Sequence, residues 1–362
     1  MKRSEKMKRI LVLGFGGPAG YNFIEALRLA KEKFFFVGTD ANKYHLELTK
    51  AEKSYQVPPC SDPKYVEIIN NIIDENGIEF IHAQPDIEVK NLSDAREKFH
   101  AKVFLPSKKC VDICQDKFLS AQAWYNAGIP SPETFPVKDE SLDSDLSKII
   151  QKLGFPFWLR ATSGAGGRGS TLVKNKETAV HWIKYWRARD VDWEFIAQQY
   201  LPGRNFAFHS LMKDGKMIVS QARERLEYIY PYLAPSGITG TPVVARTVHN
   251  EKVNEIATKS ITAIDPQASG IFCVDLKESK DGIPYPTEIN PGRFFTSSLF
   301  LAFAGQKLNI PHANIQYNYI KLGFNEPLPK DIPKYNVLPE DLYWIRHIDC
   351  GYHLVDGKKW KE

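Results

Sequence analysis

The chain has 362 residues, 43% hydrophobic and 25% charged, a balance that excludes a disordered or fibrous protein and suits two or three packed units. Its formal charge of +5 comes from 48 Lys and Arg interleaved with 43 Asp and Glu. With no basic stripe, the pattern fits small anionic ligands and argues against nucleic-acid binding.

The opening MKRSEKMKRILVLGFGG joins a basic segment to an apolar one, but only Ile10 to Leu13 run unbroken before glycines, which predicts a buried strand rather than a leader. No stretch approaches the roughly 18 apolar residues of a membrane helix. Cys60, Cys110, Cys114, Cys273 and Cys350 are scattered without a CxxC pair, so reduced thiols in a soluble cytoplasmic protein are expected.

Residues 9 to 110 alternate strand and helix patterns. RILVLGFGG is followed by a helix with Phe23, Ile24, Leu27 and Ala30 at helical spacing. FFFVGTD is the next strand, YVEIINNIIDENG a helix with Gly77 at its C-cap, and IEFIHAQ another strand. Such alternation predicts a doubly wound parallel sheet over residues 1–111.

From Asp112 the pattern changes. A helix, DKFLSAQAWYNAG, closes at Gly128, and a proline-rich extended segment follows. FPFWLRAT and STLVK read as two strands joined by a glycine-rich loop, then come the helix TAVHWIKYWRAR and the strand FIAQQYL. Residues 205 to 325 suggest antiparallel strands with helices, an α+β layout. The expected division is 1–111, 112–325 with a smaller lobe at about 131–198, and a C-terminal extension over 326–362 that carries a short hairpin.

Gly14, Gly16, Gly17 and Gly20 lie between a strand and a helix, and Asp40 ends the next strand. This is close to a dinucleotide fingerprint, in which glycines admit a pyrophosphate and the acid holds a ribose. Any tight strand-to-helix turn in such a sheet also wants glycines, and the structural reading is preferred. A NAD-dependent oxidoreductase is the alternative that the dinucleotide reading would support.

SGAGGRGS, Ser163 to Ser170, lacks the GK[ST] ending of a P-loop. A hairpin of glycines can still close over a triphosphate, with backbone N–H donors at short range and Arg168 and Arg160 adding positive charge. A mobile hairpin without ligand is the competing reading.

The stretch GIFCVDLKESKDGIPYPTEINPGRFF is the most informative. If Asp281-Gly282 is a two-residue hairpin turn, Asp275 lies directly opposite Glu288, and Pro284 and Pro286 fall at positions that lose no bond to the partner strand. Two facing carboxylates repel unless a cation sits between them, and Asn290 adds an oxygen on the same face. Oxygen ligands of this kind suit magnesium shared with substrate phosphates; a bare surface acid pair is the alternative.

In this order the motifs resemble the ATP-grasp superfamily, and within it the carbamoyl-phosphate-synthase-like branch, to about residue 325. VLGFGGPAGYN is similar to the family's pre-ATP-grasp domain and CVDICQDKF to the start of the ATP-grasp domain. The resemblance implies a two-lobed ATP-grasp domain with a glycine-rich lid hairpin after the parallel sheet. It places ATP against Lys117, Arg160, the lid residues Ser163, Gly166, Gly167, Arg168 and Gly169, the hinge residues Gln198, Gln199 and Leu201, and Asn205. Magnesium, or manganese, falls to Asp275, Glu288 and Asn290.

There are departures: Gln198-Gln199 replaces an acidic hinge, Asn205 stands where Glu is common, and Gly292 precedes Arg293. The implied function is an ADP-producing ligase that activates a carboxylate as an acyl phosphate and joins it to an amine, with no nucleic-acid or membrane partner and room for a homodimer. Arg160 and Arg293 would neutralise charge in phosphoryl transfer, and Arg223 and Arg225 could grip the substrate carboxylate, although Arg-Glu-Arg also suits a solvated strand edge. An ATP-binding module with degenerate catalysis is the alternative the departures motivate.

Overall fold

The computed structural model describes residues 7–48, 50–164, 167–189, 191–234, 237–348 and 351–360. The first unit is a five-stranded parallel sheet in the order β3-β2-β1-β4-β5, built from Lys8–Leu13 (β1), Phe34–Asp40 (β2), Lys53–Gln56 (β3), Phe80–Ala83 (β4) and Lys102–Val103 (β5). Its helices are Pro18–Arg28 (α1), Lys43–Leu46 (α2), Tyr65–Asn76 (α3) and Asp86–Asp94 (α4).

The period of two in β1 divides its side chains between two cores. Ile10 and Val12 join Phe23, Ile24 and Leu27 of α1, while Leu11 and Leu13 join Tyr65, Ile69, Ile72 and Ile73 of α3. Gly77 ends α3 in the left-handed region at φ 57°, as its sequence position predicts.

Two helices, Lys108–Gln115 (α5) and Lys117–Asn126 (α6), lead out of this unit. Asp116 caps α6 by accepting from the backbone N–H groups of Phe118 and Leu119, which fixes Lys117 at the first helical position. A small antiparallel sheet follows, ordered β6-β9-β7-β8, from Thr134–Val137 (β6), Phe157–Ala161 (β7), Thr171–Val173 (β8) and Phe195–Gln199 (β9). Its core is shared with the helices Leu142–Leu153 (α7) and Lys176–Arg187 (α8).

The largest sheet has seven antiparallel strands in the order β14-β13-β10-β11-β12-β15-β16. They are Asn205–Lys213 (β10), Lys216–Tyr228 (β11), Pro242–Val248 (β12), Gly270–Glu278 (β13), Pro284–Pro291 (β14), Leu342–His347 (β15) and Gly351–Asp356 (β16), with helices Glu251–Ile264 (α9), Leu299–Lys307 (α10) and Ile315–Gly323 (α11). The expected C-terminal hairpin is present, but it is no separate appendage: β15 pairs with β12 and continues the sheet. Among the described residues no helix is long and apolar enough to cross a membrane, and Cys60, Cys110, Cys114 and Cys273 are free thiols; Cys350 lies outside them.

The β13–β14 hairpin departs from the two-residue turn in a compensating way. Its loop has three residues, Lys280 to Gly282, closed by the Ser279 N–H donating to the Ile283 carbonyl at 2.8 Å, so Glu278, Lys277 and Leu276 pair one residue away from the expected register. Thr287 is then an extra residue at a bulge, and the expected pairing resumes with Asp275 opposite Glu288.

Close packing accounts for Gly20 on α1, where a Cβ would lie 2.5 Å from the Phe15 backbone; at Gly17 a Cβ would meet nothing within 4 Å. Gly20→Ala should therefore lose ~1–3 kcal/mol through overpacking, and Gly17→Ala only the smaller cost of alanine at the N-cap of α1. Equal melting temperatures for the two variants would contradict this account.

A second prediction concerns Glu88 on α4, which is buried and accepts a 2.6 Å hydrogen bond from the Tyr65 hydroxyl. Burial raises its carboxyl from 4.5 to about 7, against the opposing effect of the Tyr65 bond. The folded state thus holds this proton where the unfolded state has lost it, and stability falls as the pH rises from 4.5 to 7, by ~3 kcal/mol at most. Glu88→Gln should flatten that slope in denaturant unfolding between pH 5 and 8.

Candidate active site

A cleft lies between the small sheet and the large one, and its charged wall is built by the alternation of β13 and β14. Asp275, Glu288 and Asn290 all line it, together with Arg160, Arg225 and Arg293. A second cavity opens beside it toward the N-terminal unit, lined by Gly14, Gly17, Asp86, Lys117, Ser163, Gly164 and Arg168. Glu288, Asn290 and Arg293 border both.

Glu288 is the centre of the arrangement. Lys117 Nζ lies 3.5 Å from one of its oxygens and Arg160 Nη2 3.1 Å from the other. Burial pushes the Glu288 carboxyl up, but Lys117, Arg160 and Arg293 together outweigh it and hold it below the usual range. Burial pushes the Lys117 ammonium down, and Glu288 restores part of its charge preference. Lys117 also donates to the Gly164 carbonyl at 3.1 Å, which connects α6 to the glycine loop.

Asp275 forms a 2.5 Å ion pair with Arg225 and accepts from the Asn290 amide at 3.4 Å; burial nonetheless raises its carboxyl above the usual value. Arg293 bonds the Asn290 oxygen and pairs with Asp86 of α4, so an acid of the N-terminal unit reaches the cleft. The donor set of two carboxylates and one amide, all hard oxygens on one wall, fits magnesium or manganese that keeps further phosphate or water ligands. Among the described residues no cluster of three His, Cys, Asp or Glu side chains offers an alternative cage.

The other expected residues divide. Gln199, Leu201, Asn205 and Gly167 line the cleft. Gln198 lines it too, but its amide is bonded to Thr134 at 3.0 Å and to Arg160 at 3.4 Å. Asn205 accepts from Lys277 at 3.3 Å. Gly169 packs on Trp193 and Ala161, behind the loop, and its carbonyl accepts from the Trp182 indole. Arg168 stands 6.0 Å from the centre of the Trp193 ring. Gly166 lies outside the described residues.

Arg223 corrects the expectation most clearly. It is neither at a solvated edge nor on the cleft wall: β11 is an interior strand, and Arg223, 1% exposed, bonds Ser297 from beneath. Arg225, two residues on, does line the cleft.

Residues that the sequence reading passed over also line it. Trp158 and Lys277 are each two residues from an expected ligand, Arg160 and Asp275, and the period of two on a strand would have found both. Thr296 and Ser297 on the same wall, and Asp86 in the second cavity, carry no such local signal.

The first glycine cluster serves its own turn. The Asp40 carboxylate accepts from the Gly16 N–H at 3.2 Å, from the Asn42 N–H at 2.9 Å and contacts His45 at 3.3 Å. A Cβ at Gly16 would fall 2.2 Å from that of His45, so this glycine is required by the packing of its own turn.

Residues 114–297, more than half of the chain, match the family model described as the ATP-grasp domain, and residues 10–104 match the PylC-like N-terminal domain. The chain belongs to the ATP-grasp family. D-alanine–D-alanine ligase A of Bacillus cereus is 26% identical over 208 residues, covering 56% of this chain and 65% of that protein. The large chain of the arginine-specific mitochondrial carbamoyl phosphate synthase of Neurospora crassa is 24% identical over 349 residues, 90% of this chain and 28% of that one. This ATP-grasp chain thus spans less than two thirds of the length of either relative.

Among solved structures, carboxyaminoimidazole ribonucleotide synthase from Aspergillus clavatus, complexed with ATP, has a TM-score of 0.68 at 15% identity, over 94% of this chain and 81% of that one. L-amino acid ligase from Bacillus licheniformis gives 0.65 at 15% identity, over 94% and 79%. Both share the ATP-grasp fold and its preceding parallel sheet.

The geometry ranks two substitutions. Asp40→Ala should leave ATP affinity nearly unchanged, whereas Arg160→Ala, which removes a charge-assisted contact worth about 1.5–3 kcal/mol, should weaken it at least tenfold. Calorimetric titration with a non-hydrolysable ATP analogue checks this, and the reverse ranking would put the nucleotide in the N-terminal unit.

Proposed function

We propose that the chain is a cytoplasmic ATP- and magnesium-dependent ligase that activates a small carboxylic acid as an acyl phosphate and joins it to an amine. The observation that carries this reading is the convergence of Lys117, Arg160 and Arg293 on Glu288, with Asp275 and Asn290 beside it, beneath a glycine hairpin. More positive charge meets there than one carboxylate needs, which suits a polyphosphate.

In this mechanism ATP lies with its base between the two sheets, against Leu201 and Trp158, and its phosphates toward Glu288. Lys117 and Arg160 turn from Glu288 to the phosphate oxygens. Asp275, Glu288 and Asn290 would hold magnesium or manganese, which neutralises charge on the phosphates. A carboxylate oxygen of the acid attacks the γ-phosphorus, the bond to the β–γ bridging oxygen breaks, and ADP leaves.

Catalysis of this step is positioning and charge neutralisation, for which fixed guanidinium and ammonium groups need no reorganisation. The amine then attacks the acyl carbon, loses a proton, and inorganic phosphate departs. The glycine hairpin excludes water that would otherwise hydrolyse the acyl phosphate.

A nucleotide-binding module without turnover is the second reading. The observation favouring it is the hinge, where the Gln198 side chain is buried and bonded to Arg160 and Thr134 in place of an acid.

Phosphate and ADP release with MgATP, across a panel of amino acids and small carboxylates, tests the proposal. Release stimulated by an acid supports the ligase. Tight nucleotide binding with no acid-dependent release supports the module. With an active acid in hand, Glu288→Ala should abolish ADP formation, because Asp275 and Asn290 cannot bridge metal and phosphates alone; wild-type turnover in that variant would overturn the metal-site assignment.

A further inference from the structure

Beyond the phosphate end, the cleft continues along Tyr228, Pro242, Phe295, Thr296 and Ser297. Directly behind Thr296 and Ser297 lie two guanidiniums without an acidic partner among the described residues. Arg223 donates to the Ser297 carbonyl at 3.2 Å, to its hydroxyl at 2.8 Å, and to His209 at 3.4 Å, and its Nε has no partner. Arg346, which β15 contributes from beyond the family match, donates to the Pro242 carbonyl at 3.1 Å and to the Thr296 carbonyl and hydroxyl at 3.1 and 3.3 Å.

Charge compensation separates these two from their neighbours. Arg225 has Asp275 and Arg293 has Asp86. His209 is held neutral by burial and by Arg223 and Arg225, so it supplies no counter-charge. Burial lowers Arg223 to about 9 and Arg346 to about 10, the direction expected of cations left uncompensated. An unpaired charge withdrawn from water is costly, and a structure that keeps Arg223 buried and Arg346 half-buried behind one wall gains when an anion arrives in front of it.

The wall is suited to deliver that charge. The Thr296 and Ser297 hydroxyls each accept from a guanidinium and donate to no described residue, so each has its proton available for the cleft. Accepting from a cation makes each a stronger donor. Helix α10 begins at Leu299 without a side-chain cap, adding the positive end of its dipole behind the same segment.

We infer that Thr296 and Ser297, backed by Arg223 and Arg346, form an anion subsite that takes a second anionic group of the acid substrate, a carboxylate or a phosphate distinct from the carboxylate that is activated. The substrate class is then a small acid with two anionic groups. Its assignment to the substrate rests on the ligase reading; the binding of an anion at this wall does not. Arg223 and Arg346 are positioning residues, acting through the two hydroxyls.

The test is thermal unfolding of the full chain, without nucleotide, titrated with succinate, butyrate or inorganic phosphate at matched ionic strength. Succinate should bind saturably, at least tenfold tighter than butyrate. Thr296→Val and Ser297→Ala should each weaken that binding at least fivefold and the double variant should remove it, with MgATP affinity by calorimetry unchanged. For phosphate, only the portion lost in the double variant counts; if that portion binds tighter than succinate, the second group is a phosphate, and if weaker, a carboxylate.

Equal binding of succinate and butyrate, or full binding by the double variant, would overturn the subsite. Should Ser297→Ala fail to fold, Thr296→Val, which preserves volume and the partners of Arg223, decides alone. If wild type fails to bind MgATP yet keeps the anion response, the ligase reading falls and the subsite stands.

Discussion

One carboxylate, Glu288, connects three parts of the molecule. Lys117 comes from the first position of α6, Arg160 from β7 of the small sheet, and Arg293 from the chain just after β14, where it also pairs with Asp86 of the N-terminal unit. A buried carboxylate needs such neighbours, because desolvation alone would protonate it. The placement of the small sheet over the large one and the docking of the parallel sheet beside both therefore serve the same electrostatic requirement. Lys117 extends the connection to the Gly164 carbonyl, so the glycine loop shares it.

Much of this was legible where local rules apply. The parallel sheet follows from apolar runs alternating with helical spacing, and Gly77 marks a helix end because only a residue tolerant of positive φ closes that cap at no cost. The facing of Asp275 and Glu288 was reached by a route the hairpin does not follow. Its loop has one residue more than the Asp281-Gly282 turn requires, and the bulge at Thr287 absorbs it. Pro284 and Pro286 sit between loop and bulge, opposite Glu278 and Leu276, where neither proline has an N–H to offer the ladder. Two departures of opposite sense leave the carboxylates in register, and neither could be read from alternation alone.

What escaped the sequence reading depends on distance along the chain. Arg293 and Asp86 are separated by 207 positions, and Arg346 meets Thr296 only because β15 joins the sheet next to β12. No spacing rule spans such intervals. Arg223 failed for a different reason: Arg-Glu-Arg on a strand has the same pattern at a solvated edge and in an interior strand. The difference lies in the partners of β11. With β10 on one side and β12 on the other, Glu224 turns to Arg246, and both arginines are carried to the opposite face, one beneath Ser297 and one into the cleft.

The two glycine clusters show how one composition serves two physical ends. In the first, of Gly14, Gly16, Gly17 and Gly20, only Gly14 has positive φ; Gly14, Gly16 and Gly20 are glycine because a Cβ would strike Pro85, His45 or the Phe15 backbone. Three of the four are thus glycine for the packing of the turn itself, although Gly14, Gly17 and Gly20 also border the second cavity. In the second, Gly164, Gly167 and Gly169 all have positive φ, between 72° and 95°, a conformation other residues adopt at a cost. Gly169 leans on Trp193 and bonds Trp182, so the loop is supported from its outer side, with Ser163 and Gly167 toward the two cavities. Glycines held at positive φ on the cleft side and an aromatic backing on the other are how this loop differs from the first turn, whose glycines answer to packing even though its spacing looks the more familiar.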